Sequence, residues 1–200
     1  MLPAAAGIFS VLPAGLIQNF IPLHLTGQSE ARDLLFGVFV RVSLTEELVR
    51  FTVLLFLFYL IPHLRIYPRG QTFRSAGNRE TFLGAPSGLA AGLGFAAGES
   101  VFYGLSDPGT AFLRIFTAVP LHAACGSRIG NAAGLIRRQP VLTFFNFVGA
   151  FFIHGIYDFC IRNPAVPRFL PVFIALSALI SSLFNVYYGD PKPVNEKRIN

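Results

Sequence analysis

The sequence predicts an all-α polytopic membrane protein, a bundle of about six transmembrane helices. Three observations predict it. Of 200 residues, 53% are hydrophobic and only 13% are charged, about half the charged share of an ordinary soluble domain. Apolar runs long enough to cross a bilayer as helices recur along the chain. The basic residues behind the formal charge of +6 gather in the polar segments between those runs, not on one folded face. That is a positive-inside pattern, and it argues against nucleic acid as a partner.

The first span is predicted over residues 3–25. No basic stretch precedes it, so it is expected to stay as a helix and not to be cleaved as a signal peptide. The second is predicted over 34–61. Its latter half, FTVLLFLFYLIP, is as apolar as a lipid-facing helix, yet Glu46, Glu47 and Arg50 lie just before it. Each ionised group there costs roughly 2.5 to 3.5 kcal/mol on insertion, so such groups mark a functional site by default. Residues 63–80 form the one long polar loop, with Arg65, Arg69, Arg74 and Arg79.

The third span, 82–105, is rich in small residues. Gly84, Gly88 and Gly92 recur every four positions and make a flat ridge for a neighbouring helix. Glu99 follows on nearly the same face. The fourth span, 110–136, repeats the device with His122, Gly126, Gly130 and Gly134. These two helices are expected to pack closely and to shelter Glu99 and His122 from lipid. Arg114 and Arg128 are the candidate ion-pair partners for Glu99.

The fifth span, 141–161, carries His154 and Asp158 four residues apart on one helical face, where the carboxylate can orient the imidazole. The sixth runs over 165–188, with Tyr187 and Tyr188 as an interfacial aromatic pair. Residues 1–188 thus read as a single transmembrane domain, and 189–200 as a polar, frayed tail. Cys125 and Cys160 fall inside apolar spans and read as buried free thiols. Nine basic residues fall on the side of the long loop and tail, against Arg32, Arg162 and Arg168 opposite. Both termini are therefore expected in the cytoplasm.

Glu46, Glu99, His122 and His154 lie at depths that agree within roughly 10 Å at the helical rise, so four helices can bring them into one cavity. Arg50 can neutralise only one of the paired glutamates fully. Histidines and carboxylates so placed can hydrolyse an amide in two ways. They can hold Zn²⁺, which acidifies water. Alternatively a glutamate acts as base while the histidines stabilise the oxyanion. The spacing does not choose between these, and no HExxH is present.

The segments TEELVR (Glu46, Glu47, Arg50), GFAAGES (Phe95, Glu99), PLHAACG (His122) and HGIYD (His154, Asp158) resemble the four motifs of the PrsW family. That family is one of bacterial intramembrane proteases that cleave an anti-sigma factor at site 1. It is similar to CAAX prenyl proteases, to bacteriocin-processing Abi proteins and, more distantly, to the APH-1 scaffold of gamma-secretase. The resemblance implies Glu46 and Glu47 as catalytic carboxylates completed by His122 and His154. Arg50, Glu99 and Asp158 become supporting groups or ligands, and Glu46, Glu47, Glu99, His122 and His154 the pool of metal ligands. It implies a membrane protein or peptide substrate and a bacterial cytoplasmic membrane location. Glu99 and Asp158 stand where CAAX proteases commonly show His and Asn, which favours the PrsW branch and argues against a prenylated substrate. Two rival readings are a non-catalytic scaffold built on the glycine ridges and a proton-coupled transporter. The transporter reading lacks the repeats and broken helices such proteins usually show.

Overall fold

The computed structural model describes residues 1–22, 30–59 and 76–188, and every regular element among them is helical. In chain order these are α1 (Leu2–Phe20), α2 (Glu30–Leu35), a π-helical segment (Phe36–Leu44), α3 (Thr45–Tyr59), α4 (Ala76–Ser106), α5 (Pro108–Phe116), α6 (Ala118–Leu135), α7 (Pro140–Arg162) and α8 (Leu170–Tyr188).

Side-chain polarity is distributed as in a protein whose solvent is lipid. Among the largest fully buried side chains are Arg50, His154 and Glu47, while Phe9, Phe20, Phe144, Phe145, Phe173 and Phe184 are exposed. Outward apolar faces of this extent are unusual on a water-soluble monomer. Leu2–Phe20 and Pro140–Arg162 are long and apolar enough to cross a membrane, and Leu170–Phe184 is a shorter apolar stretch.

α4 is the central strut, because small residues line two of its faces. On one, Gly84, Gly88 and Gly92 meet α6 so closely that a Cβ on Gly88 would fall on the backbone of Gly126 and Gly130. This is the ridge pairing expected from the fourfold glycine spacing. On the other face, Gly94 and Gly98 meet Ala4, Ile8 and Val11 of α1, and Gly7 of α1 meets the Ala91 backbone. That second ridge is not apparent from the glycine register alone. Hydroxyls tie the remaining helices to α6: Ser182 Oγ of α8 donates to the Ala124 carbonyl, and Thr143 Oγ1 of α7 to that of Ala132. Cys125 and Cys160 are both buried and free, as expected.

The second predicted span is one rod, but a π-helical stretch interrupts it directly before the glutamate pair. Such wide turns leave carbonyls to be satisfied otherwise and recur at functional sites. Here Thr45 Oγ1 donates back to the Val40 carbonyl at 3.3 Å. The segment docks on α7: Ser43 Oγ donates to the Phe151 carbonyl at 2.7 Å, and the Phe39 ring covers Gly155. These contacts set Glu46 and Glu47 opposite His154. Ser43→Ala should lower unfolding stability by about 1 kcal/mol, the usual worth of one such bond. Thermal unfolding in detergent measures it.

Several predicted boundaries change. The first helix ends at Phe20, not residue 25, because Pro22 disfavours a helical Ile21, whose backbone is extended. The second span begins at Glu30, before residue 34. The span 110–136 is two helices broken at Thr117, whose φ of −121° and ψ of −69° leave the helical region. Pro120 is the cause, since its ring excludes the carbonyl four residues back, at Phe116. The expectation of unbroken helices is corrected with it. The sixth helix begins at Leu170, not residue 165, because Pro164 and Pro167 hold the approach in turns, with the Leu170 amide on the Pro167 carbonyl. The long loop is shorter than 63–80, since α4 starts at Ala76. The rest of that loop, the side chains of Tyr187 and Tyr188 and the tail 189–200 lie outside the described residues.

Candidate active site

Glu46, Glu47 and Arg50 from α3, Phe95 and Glu99 from α4, His122 from α6 and His154 from α7 meet in one buried cluster. Glu47 is its anchor. Its Oε1 accepts from Arg50 Nη2 at 2.6 Å and from His154 Nδ1 at 2.7 Å. Both donors and the carboxylate are essentially inaccessible. A buried ion pair needs this geometry to offset its desolvation.

These bonds fix the imidazole tautomers. His154 Nδ1 gives its hydrogen to Glu47, so in the neutral ring Nε2 carries the open lone pair. That nitrogen stands 3.8 Å from Glu46 Oε2 and 3.9 Å from Asp158 Oδ2. Arginine can only donate, so His122 Nδ1 accepts from Arg50 Nη2 at 3.3 Å. His122 Nε2 then carries the hydrogen and donates to Glu99 Oε2 at 2.9 Å. The two rings lie edge to face with centroids 5.1 Å apart.

Glu99 also accepts from Arg114, which stacks on Tyr103 at 4.2 Å. Of the two cations proposed for Glu99, Arg114 is the partner, while Arg128 bonds Ser181 at 3.1 Å. Phe95 floors the cluster, with the Arg50 guanidinium 4.6 Å above its ring and the His122 ring 5.1 Å away.

Glu46 is held differently from Glu47. Arg50 Nη2 lies 3.7 Å from its Oε2, too far for a hydrogen bond. The one neutralised glutamate is therefore Glu47. Glu46 Oε1 accepts from Gln18 Nε2 of α1 at 3.1 Å, and Oε2 is buried without a hydrogen-bond partner among the described residues. Glu47 Oε2 and two Arg50 nitrogens, Nε and Nη1, are likewise unpaired. Four unpaired buried polar atoms in one cluster are exceptional for a folded chain and point to a ligand.

Asp158 does not orient His154. At 3.9 Å it is beyond hydrogen-bond reach, and Glu47 makes that bond instead, through the other nitrogen. Spacing by four on one helix allowed the nearer-sequence partner, but burial of Glu47 beside the ring decided the matter. Gln18 was missed by the sequence reading. Its only signal is its place in the amide pair Gln18–Asn19 at the end of a largely apolar helix.

Glu46, His122 and His154 each offer one donor atom, all within 4.8 Å of one another. Tetrahedral ligands at ~2.0–2.1 Å from an ion sit about 3.4 Å apart, so modest side-chain motion would bring the three to bonding distance. One carboxylate with two imidazoles matches a catalytic zinc donor set. Glu46 Oε2 and His154 Nε2 are open as they stand. His122 would give up its 3.3 Å bond from Arg50, the longest hydrogen bond in the cluster. The residues therefore fit a divalent ion. Glu47 and Glu99, counted among ligands by the sequence reading, are outside this trio and hold its imidazoles instead.

The family model described as "PrsW family intramembrane metalloprotease" matches residues 1–183. No curated protein and no solved structure matches the chain.

Proposed function

Because the chain belongs to the PrsW family of intramembrane metalloproteases, we propose that it hydrolyses peptide bonds of membrane-associated proteins at the Glu46–His122–His154 cluster. Family membership makes it a membrane protein. The finer assignments are part of the proposal: six bilayer spans, a bacterial inner membrane, both termini cytoplasmic, and an anti-sigma factor cut at site 1 as substrate. The nine-to-three bias of basic residues supports that orientation. The scaffold and proton-relay readings are not favoured by membership in a protease family.

The observation that carries the mechanism is the convergence of three buried donors from three helices within 4.8 Å. Glu46, His122 and His154 would hold the ion, proposed as Zn²⁺. Such an ion supplies Lewis-acid chemistry, acidifying water and polarising a carbonyl oxygen. Glu47 fixes the His154 ring through Nδ1, and Glu99 fixes the His122 ring through Nε2. Outer partners of this kind set the orientation of ligating imidazoles. Glu47 Oε2, unpaired and beside the trio, takes the proton of the attacking water. It returns that proton to the amine nitrogen as the C–N bond breaks. The unpaired Nε and Nη1 of Arg50 are donors available to the developing oxyanion.

Purified protein in detergent should cleave a membrane-spanning peptide carrying a fluorophore and quencher. Excess chelator should stop the reaction and added Zn²⁺ restore it, and His154→Ala should be inactive under all conditions. Cleavage that persists at full rate in chelator, or in His154→Ala, would refute the assignment.

A further inference from the structure

We propose that Gln18 of α1 is a positioning residue for the Glu46 carboxylate, and that Arg41 sets where Gln18 stands. The inference rests on the metal-centre reading above and extends it to a helix outside the four motifs. Glu46 is the one donor of the trio whose orientation nothing on its own or a motif helix fixes. Arg50 is 3.7 Å away and spent on Glu47. Among the described residues its single hydrogen bond comes from Gln18, at 3.1 Å across 28 residues of sequence. An ionised carboxylate only accepts, so the amide nitrogen must face it. That bond occupies Oε1 and turns Oε2, which has no partner, toward His154 Nε2 at 3.8 Å. The open oxygen and the open nitrogen of the site then face each other.

The position of Gln18 is itself secured. It lies in the last turn of α1, where the Gln18 carbonyl accepts from the Ile21 amide at 3.3 Å in a tightened final turn and keeps a lone pair for a second donor. Arg41 Nε donates to the Gln18 carbonyl at 2.9 Å and to the Ile21 carbonyl at 3.2 Å. A cation on the final carbonyls of a helix also complements its dipole. Arg41 belongs to the π-helical segment that runs into Thr45–Glu46–Glu47. The same wide turn that aims the glutamates therefore also grips the helix that orients one of them. α1 enters the site as a clamp through its end, while its body packs on α4 through Gly7 and Ala14.

The test uses the full chain in detergent, with Zn²⁺ affinity measured by competition against a chromophoric chelator and peptide cleavage measured in parallel. Gln18→Leu keeps the side-chain bulk and removes the donor. Its Zn²⁺ dissociation constant should rise ~10- to 100-fold, the usual effect of losing a partner of a ligand. kcat should fall with KM unchanged, and the melting temperature should stay near wild type. Gln18→Asn retains an amide one methylene shorter and should fall between the two. Arg41→Met should reproduce the Gln18→Leu defect in Zn²⁺ affinity, whereas Ile17→Ala, on the exposed face of the same helix, should match wild type. Wild-type Zn²⁺ affinity in Gln18→Leu overturns the positioning role while leaving the metal centre standing. So does a change confined to melting temperature. If Gln18→Leu fails to fold, Gln18→Asn decides by the same affinity criterion. A wild-type chain that binds no Zn²⁺ overturns the metal centre, and this inference with it.

Discussion

Glutamine in place of Glu46 should abolish both Zn²⁺ binding and peptide cleavage while leaving the helical fold in place. The amide is isosteric, and Gln18 can still reach it through a flipped amide. No buried cation loses its partner, since Arg50 is neutralised by Glu47 at 2.6 Å. What disappears is the carboxylate oxygen of the trio, which stands 3.8 Å from the open His154 nitrogen. Affinity should drop more than ~100-fold, because losing even an outer partner of a ligand costs 10- to 100-fold. Glu47→Gln should behave differently. Its remaining carbonyl oxygen can accept from Arg50 and His154, so Zn²⁺ should still bind within about tenfold of wild type. Turnover should nonetheless fall by ~10²- to 10⁴-fold, the usual worth of a positioned proton acceptor. The pair of measurements separates ligand from base. The reverse pattern, metal lost with Glu47 and retained without Glu46, would exchange the two roles.

A leucine at Gly88 should disassemble the site from a distance. A Cβ there would collide with the carbonyl of Gly126 and the backbone of Gly130. Backbone cannot move aside as a side-chain tip can, so α4 and α6 must separate. Overpacking costs typically 1 to 3 kcal/mol, and a rigid backbone contact lies at or beyond the upper end of that range. Separation also breaks the bond between Glu99 on α4 and His122 on α6, because each helix carries one partner. The expected result is a large fall in melting temperature in detergent together with loss of cleavage. Gly15→Leu is the control: a Cβ there meets nothing within 4 Å, so no backbone has to move. Its stability should match wild type. Equal melting temperatures for Gly88→Leu and Gly15→Leu would mean that the two ridges do not carry the packing.

Much of the cluster was legible because its residues are costly where they stand. Glu46, Glu47 and His154 are out of place in apolar helices, and that mismatch alone selects them. The glycine ridges were legible by period, since a repeat of four is nearly one helical turn. The second ridge of α4 was less so, because Ala91, Gly94 and Gly98 mix residue types and break the simple repeat. Asp158 was placed beside His154 by spacing, an argument that sees only one helix. Its competitor, Glu47, sits 107 residues away and binds the other nitrogen. The break at Thr117 had a local cause in Pro120, but composition on both sides reads as one apolar run. Gln18 carried no charge and therefore no insertion penalty large enough to single it out.

The amino-acid sequence by itself determined which groups are buried at a cost and which helices must approach closely. Both follow from local chemistry, the price of charge in lipid and the small size of glycine. Which nitrogen bonds which carboxylate, which glutamate is left open and which helix end holds it were decided only by the tertiary structure. Those depend on the relative rotation of five packed helices, set by the π-helical turn, the ridges and the Arg41 clamp. No single helix contains that information, because each choice is a competition between partners that only the assembled bundle brings within hydrogen-bond reach.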